Sequence, residues 1–274
     1  MKRIIVPVNF SEVSLDALEF ALDVANAMNY SLRLLSVIDT GSSIFFWRPS
    51  KTRDEEEVKA KMEDFIAQNQ ERYTVEGGVL DYQIVSGSTV KTLIKTVASP
   101  DSETYAVVLG INTETETNSE TFSLITDMTV PVITWRKGFE HKPATSILMP
   151  IGTKNSSRQK VPFVTGFARR IGAKIHVLGC ADTEDLPSIK TRITLHVEQT
   201  IDFIRQNEVE CEAHFKFGAD VGRTIVEYSN TLKTDAIATM TDVAEDTVNM
   251  FTASNAEYIL KHAKQPVICV RPSR

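Results

Sequence analysis

Few residues in this chain have the type and spacing that chemistry needs. The densest polar run is Thr113-Glu114-Thr115-Glu116-Thr117-Asn118-Ser119-Glu120, which follows the apolar Tyr105-Ala106-Val107-Val108-Leu109 and Gly110. Carboxylates and hydroxyls suit a hard divalent cation, but several must converge, commonly on a glycine-containing turn, and this run has no glycine. It reads as a solvated loop. The five histidines, His141, His176, His196, His214 and His262, and the three cysteines, Cys180, Cys211 and Cys269, show no His-x3-His or Cys-x2-Cys spacing. No metal site is therefore expected. His176 and His214 fall in strand-like segments, where packing is the ordinary role. Ser11 and Ser123 sit in no Gly-x-Ser-x-Gly elbow, and neither a Walker loop nor a dinucleotide fingerprint is present. No residue offers itself as nucleophile or base, so no enzyme is expected.

The elements that would carry these residues read clearly. Ile4 to Val8 is a β-branched apolar run, the pattern of a strand buried on both faces. Glu12 to Met28 has helical spacing, with Leu15, Leu18, Ala21, Leu22 and Ala25 on one stripe and Ser11 placed to cap it. A strand at Leu32 to Ile38 is followed by the loop Asp39 to Pro49, whose Ile44-Phe45-Phe46-Trp47 cluster is either a partner surface or packed core. Thr52 to Tyr73 reads as an acidic amphipathic helix with Val58, Met62, Phe65 and Ile66 inward. A strand Val79 to Val85, a helix Thr89 to Ala98, the strand at Tyr105 and a last strand Val130 to Trp135 complete a βαβαβαβαβ order. Such an order gives a parallel sheet with right-handed crossovers.

The pattern then restarts. Ser146-Ile147-Leu148-Met149-Pro150 repeats Arg3 to Pro7 at an offset of 143 residues, Gly218 repeats Gly87 at 131, and Pro266-Val267-Ile268 repeats Pro131-Val132-Ile133 at 135. This is an internal duplication with small insertions and deletions. The expected domains are 1–138 and 145–274, joined by a linker at 139–144. A two-copy repeat of this kind suggests a fused homodimer with a pseudo-two-fold axis.

Bulk properties exclude several classes. The chain of 274 residues is 42% hydrophobic and 24% charged, a globular composition. Residues 1–138 hold 13 Lys+Arg against 20 Asp+Glu, a net −7, and the rest is close to neutral at +1. A nucleic-acid footprint needs a concentrated basic face, and none is evident. The apolar start Ile4 to Pro7 is too short for a signal peptide, and nothing approaches the ~20 apolar residues of a membrane span. Scattered cysteines set among apolar neighbours read as reduced, buried thiols. A cytoplasmic location is expected.

The residues also carry a family resemblance. The segment Val6-Pro7-Val8-Asn9-Phe10-Ser11, the helix with Ala17-Leu18 and Ala21, Gly87 before the third helix, and the terminal Pro-Val-Ile strands resemble the universal stress protein domain. Tyr258 to Val267 is similar to that family's last helix and strand. The resemblance covers nearly the whole chain, twice, and so matches the tandem form. It implies an α/β fold of two doubly wound five-stranded parallel sheets, adenine-nucleotide α-hydrolase-like, with strand order 3-2-1-4-5. It also implies pairing through the last strands, Val130 to Trp135 with Pro266 to Val270, and often ATP beyond strands one and four.

ATP-binding members carry Gly-x2-Gly-x9-Gly followed by Ser or Thr, so that backbone amides approach the phosphates, and an acidic residue after the first strand. Here Gly110 stands at the first glycine, Thr113 at the second, and Asn118-Ser119 at the final pair, with four residues where nine are usual. Asn9 takes the acidic position. In the second half Met240, Val243 and Ala253 replace the glycines, Ser254 is kept, and Gly152 replaces the acid. Glu114, Glu116, Asp242, Glu245 and Asp246 would repel a polyanion by on the order of 1 kcal/mol each. ATP and other cofactors are not expected.

The resulting expectation is a non-catalytic binding or scaffold protein of the stress response, with an unknown protein partner, no nucleic acid and no membrane; a further homodimer is left open. The alternatives are a small-molecule or nucleotide sensor, with a remodelled pocket built in the first half from Asn9, Ser11, Gly110, Thr113, Asn118 and Ser119, and a weak ATP hydrolase. Ser254 is the second half's only candidate.

Overall fold

A computed structural model of the protein describes residues 1–38, 55–111, 119–139, 144–182, 187–218, 220–241 and 255–272, with 119 and 120 described by backbone only. The chain divides into two compact units, Met1–Phe139 and Glu140–Arg274. The loop with Ile44 to Trp47 lies outside the described residues.

In the first unit the order is β1 (Arg3–Pro7), α1 (Glu12–Met28), β2 (Ser31–Ile38), α2 (Glu55–Asn69), β3 (Leu80–Ser86), α3 (Thr89–Ala98), β4 (Thr104–Ile111), α4 (Ser119–Asp127) and β5 (Val132–Arg136). The strands lie in the order β3-β2-β1-β4-β5, and every described pairing is parallel. The second unit repeats this with β6 (Ser146–Ile151), α5 (Val161–Ile171), β7 (Lys174–Ala181), α6 (Pro187–Gln206), β8 (Cys211–Phe217), α7 (Val221–Leu232), β9 (Ala236–Met240), α8 (Asn255–His262) and β10 (Val267–Val270). Its order, β10-β9-β6-β7-β8, is again first strand between second and fourth. The doubly wound 3-2-1-4-5 sheet expected from the resemblance is present in both units.

The inner strands are mostly apolar because helices cover both faces. On β7, Gly179 faces Ile193 of α6, whereas the alternate position, His176, faces the side on which His214 meets Tyr228 of α7. Ile4, Ile5, Leu32, Leu34, Val107 and Val108 form the first core, and Ile147, Leu148, Val177, Leu178, Ile237 and Ala238 the second. Phe20 of α1 stacks on Trp135 of β5 at 4.5 Å. In the second unit, Asp235 Oδ2 accepts four hydrogen bonds of 2.9–3.0 Å from the backbone and hydroxyls of Thr145 and Ser146, tying the start of β9 to that of β6.

Three expectations about packing change. Leu15 is 38% exposed, while Val13, Phe20 and Val24 are buried; α1 packs against β1, β2, β4 and β5, so its buried arc is wider and rotated from the simple stripe. The acidic helix ends at Asn69, whose side chain donates to Phe65 O and whose carbonyl accepts from the amides of Arg72 and Tyr73. Its Phe65 and Ile66 are half-buried. Of the three free thiols, Cys180 and Cys269 are buried, but Cys211 begins the edge strand β8 and is only partly so. Burial pushes the Cys180 thiol up to about 11 and raises Cys269 further. No helix among the described residues is long and apolar enough to cross a membrane.

Candidate functional site

In parallel sheets, ligands lie beyond the carboxyl ends of the strands where the strand order reverses, here between β1 and β4 and between β6 and β9. At the first of these, Asn9 and Ser11 are brought together. Asn9 Oδ1 accepts from the Ser11 amide at 3.0 Å and from Ser11 Oγ at 2.6 Å. Phe10 between them takes the left-handed conformation, φ 57°. Ser11 is the N-cap of α1, and its Oγ accepts a long 3.4 Å bond from the Ser14 amide. Both side chains therefore serve the strand-to-helix turn.

Gly110 is held by a different demand. A Cβ at that position would lie 2.6 Å from the Val13 carbonyl oxygen and 3.3 Å from Ala17 Cβ. The missing side chain is what lets the first turns of α1 pack onto β4. Thr113, Asn118 and Ser254 lie outside the described residues, and Ser119 is described only as the first residue of α4.

The second unit closes the equivalent place differently. Where α1 begins three residues after Asn9, the chain after Gly152 forms a 3-10 turn, Asn155–Arg158, and α5 starts only at Val161. Pro162 explains the late start, since proline fits the first turn of a helix but not its interior. The Gly152 amide donates to Ser157 Oγ at 3.2 Å, and the Gly152 carbonyl accepts from His196 Nδ1 at 3.0 Å. Lys160, only 2% exposed, donates from Nζ to the Ser157 carbonyl at 2.5 Å. Lys160 and His196 carry no signal in the sequence, because their roles depend on contacts with a turn and not on spacing.

Each unit also carries a polar trio on its outer strand pair. In the first, β2 and β3 pair with Arg33 opposite Asp81, and Gln83 lies two residues on. Arg33 holds Asp81 through two bonds, Nε at 2.7 Å and Nη2 at 2.5 Å, and reaches Gln83 at 3.4 Å. Bonding to Asp81 raises the Arg33 pKa. In the second, β7 and β8 pair with His176 opposite Glu212, and His214 lies two residues on. His176 Nδ1 and His214 Nε2 are 3.0 Å apart, and His214 Nδ1 is 3.0 Å from the Tyr228 hydroxyl. Lys174 bonds Glu210 at 3.1 Å and Glu212 at 3.0 Å. Burial is the main reason that both imidazoles lie below the ordinary histidine pKa, and Lys174 holds Glu212 below the usual carboxylate value.

The sequence model of the Universal stress protein family covers the first three strands and helices. Residues 1–104 match that family. The fold likeness extends over the whole chain. A universal stress protein from Archaeoglobus fulgidus is 15% identical, with a TM-score of 0.74 over 99% of this chain and 98% of that one. A putative universal stress protein from Pseudomonas aeruginosa is 14% identical, with a TM-score of 0.66 over 98% and 93%. No curated protein sequence matches this one. The chain thus resembles universal stress proteins in the sequence of its first part and in fold throughout.

Proposed function

We propose that the protein is a universal stress protein-like, non-catalytic binding or scaffold protein that acts in the cytoplasmic stress response and has degenerate ATP-binding loops in both halves. The observation that carries this reading is that the surviving motif residues have structural work. Gly110 admits α1, Ser11 caps it, and Asn9 holds Ser11. A glycine retained for helix packing is no trace of a phosphate loop. An amide at position 9, engaged by Ser11, also lacks the negative charge that the resemblance implies beside an adenosine. In the second unit the corresponding Gly152 is engaged by Ser157 and His196.

The test is mass spectrometry of the natively purified protein for carried small molecules, with thermal melts in ATP and Mg2+. This reading expects no nucleotide and no shift in Tm. A co-purifying nucleotide would contradict it in favour of the sensor.

The reading includes pairing of the halves through their last strands. β5 and β10 each end their own unit's five-stranded order and are buried along their length, and proteins cover a long apolar strand edge. Separately expressed halves should then associate one to one in analytical ultracentrifugation; halves that remain apart would refute the pairing.

A further inference from the structure

The outer strand pair of the second unit has the ingredients of a metal site that spacing along the sequence conceals. His176 and His214 are 38 residues apart, yet the parallel register of β7 and β8 puts them and Glu212 on one face. One ligand atom from each lies within 4.8 Å of the other two.

We propose that His176 Nδ1, His214 Nε2 and a Glu212 carboxylate oxygen bind one divalent transition-metal ion of the zinc class, with a fourth position open to water. Zinc–nitrogen bonds of about 2.0–2.1 Å at a tetrahedral angle separate two ligand nitrogens by about 3.3 Å. The imidazole nitrogens already stand 3.0 Å apart. Two ring nitrogens can be that close only with a proton between them, and the metal would take the place of that proton. Glu212 Oε2 is 3.8 Å from His176 Nδ1, on a side chain 52% exposed.

Tyr228 supplies the outer support that metal-bound histidines require. Its hydroxyl, 3.0 Å from His214 Nδ1, can accept that N–H and so turn the Nε2 lone pair toward the site. Two cations oppose the ion. Lys174 bonds Glu212, and Lys216 stands over the Tyr228 ring at 5.2 Å. Lys174 keeps its second partner, Glu210, when Glu212 turns to the metal.

The experiment uses the full chain stripped with EDTA, titrated with Zn2+ by calorimetry and with Co2+ by visible absorption. One ion per chain, with a tetrahedral Co2+ spectrum and no thiolate charge-transfer band, is expected. His176→Gln with His214→Gln should weaken binding by more than the roughly 10–100-fold that loss of an outer partner costs, and Tyr228→Phe should fall within that range. Lys174→Met should tighten binding severalfold, an effect that damage to the fold would not produce. Failure of the wild-type chain to bind saturably, binding unchanged in the double variant, a thiolate band, or unchanged or weaker binding in Lys174→Met would each overturn the proposal. If the double variant does not fold, the Lys174→Met titration decides.

Discussion

At matching places on their outer strand pairs, the two units hold Arg33, Asp81 and Gln83 in one and His176, Glu212 and His214 in the other. The registers are the same: the residue on the second strand stands opposite a carboxylate, with a third side chain two residues further on. The offsets are the same as well, 143 residues between Arg33 and His176 and 131 between Asp81 and Glu212. The chemistry is not. A guanidinium is always charged and grips a carboxylate with two fixed bonds, whereas an imidazole titrates near neutrality and accepts metals. Register is a property of the backbone and apolar core, so the duplication retains it. What stands on that register is open to change, and the first unit uses it as a clamp between strands.

The two units should differ most in their response to glycine substitutions at the strand ends. Gly110→Ala should destabilise the first unit by about 3 kcal/mol, because the new Cβ meets the backbone of α1 and not a movable side chain. Gly152→Ala should change stability by less than about 1 kcal/mol, since its Cβ would meet only the Cys180 carbonyl at 3.9 Å. Chemical denaturation of each variant measures both, and equal effects would mean that the two strand ends are built alike.

Arg33→Met should cost about 1–2 kcal/mol, the charged hydrogen bonds to Asp81 being half-buried. That loss should be the same at pH 6 and pH 8, because a guanidinium stays charged throughout. The histidine trio should behave otherwise. Its two imidazoles have folded-state values below the unfolded value of 6.5, so as the pH falls through 6.5 the unfolded chain takes up protons first. Stability is full above that value and declines below it. His176→Gln with His214→Gln should remove that part of the acid sensitivity; an unchanged slope between pH 7 and pH 5 would show that these imidazoles do not sense protonation.

Most of the fold was legible because it is written in local patterns. The apolar runs at Ile4 and Ser146, the helix at Glu12 and the turn at Asn9 to Ser11 depend on neighbours a few residues away. The duplication made each half a check on the other. Leu15 misled because a periodic stripe gives the moment of a helix but not the width of the surface that receives it. Lys160 and His196 were invisible because their partners belong to a turn that forms only once Pro162 has delayed α5. The histidine trio was hidden for a different reason: the spacing rules search along the chain, while a parallel pair joins residues across a whole helix. The Glu212-x-His214 spacing on an edge strand, aligned with Asp81-x-Gln83, was the signal available.

Asn9, Ser11 and Gly110 have contacts within the fold, and the proposed reading assigns them no phosphate. Isothermal titration of the nucleotide-free chain with ATP and Mg2+ tests it most directly. No saturable heat is expected at either unit. A Kd tighter than about 10 μM, near −7 kcal/mol, would contradict it and make Asn9, Ser11 and Gly110 the first residues to re-examine as ligand contacts.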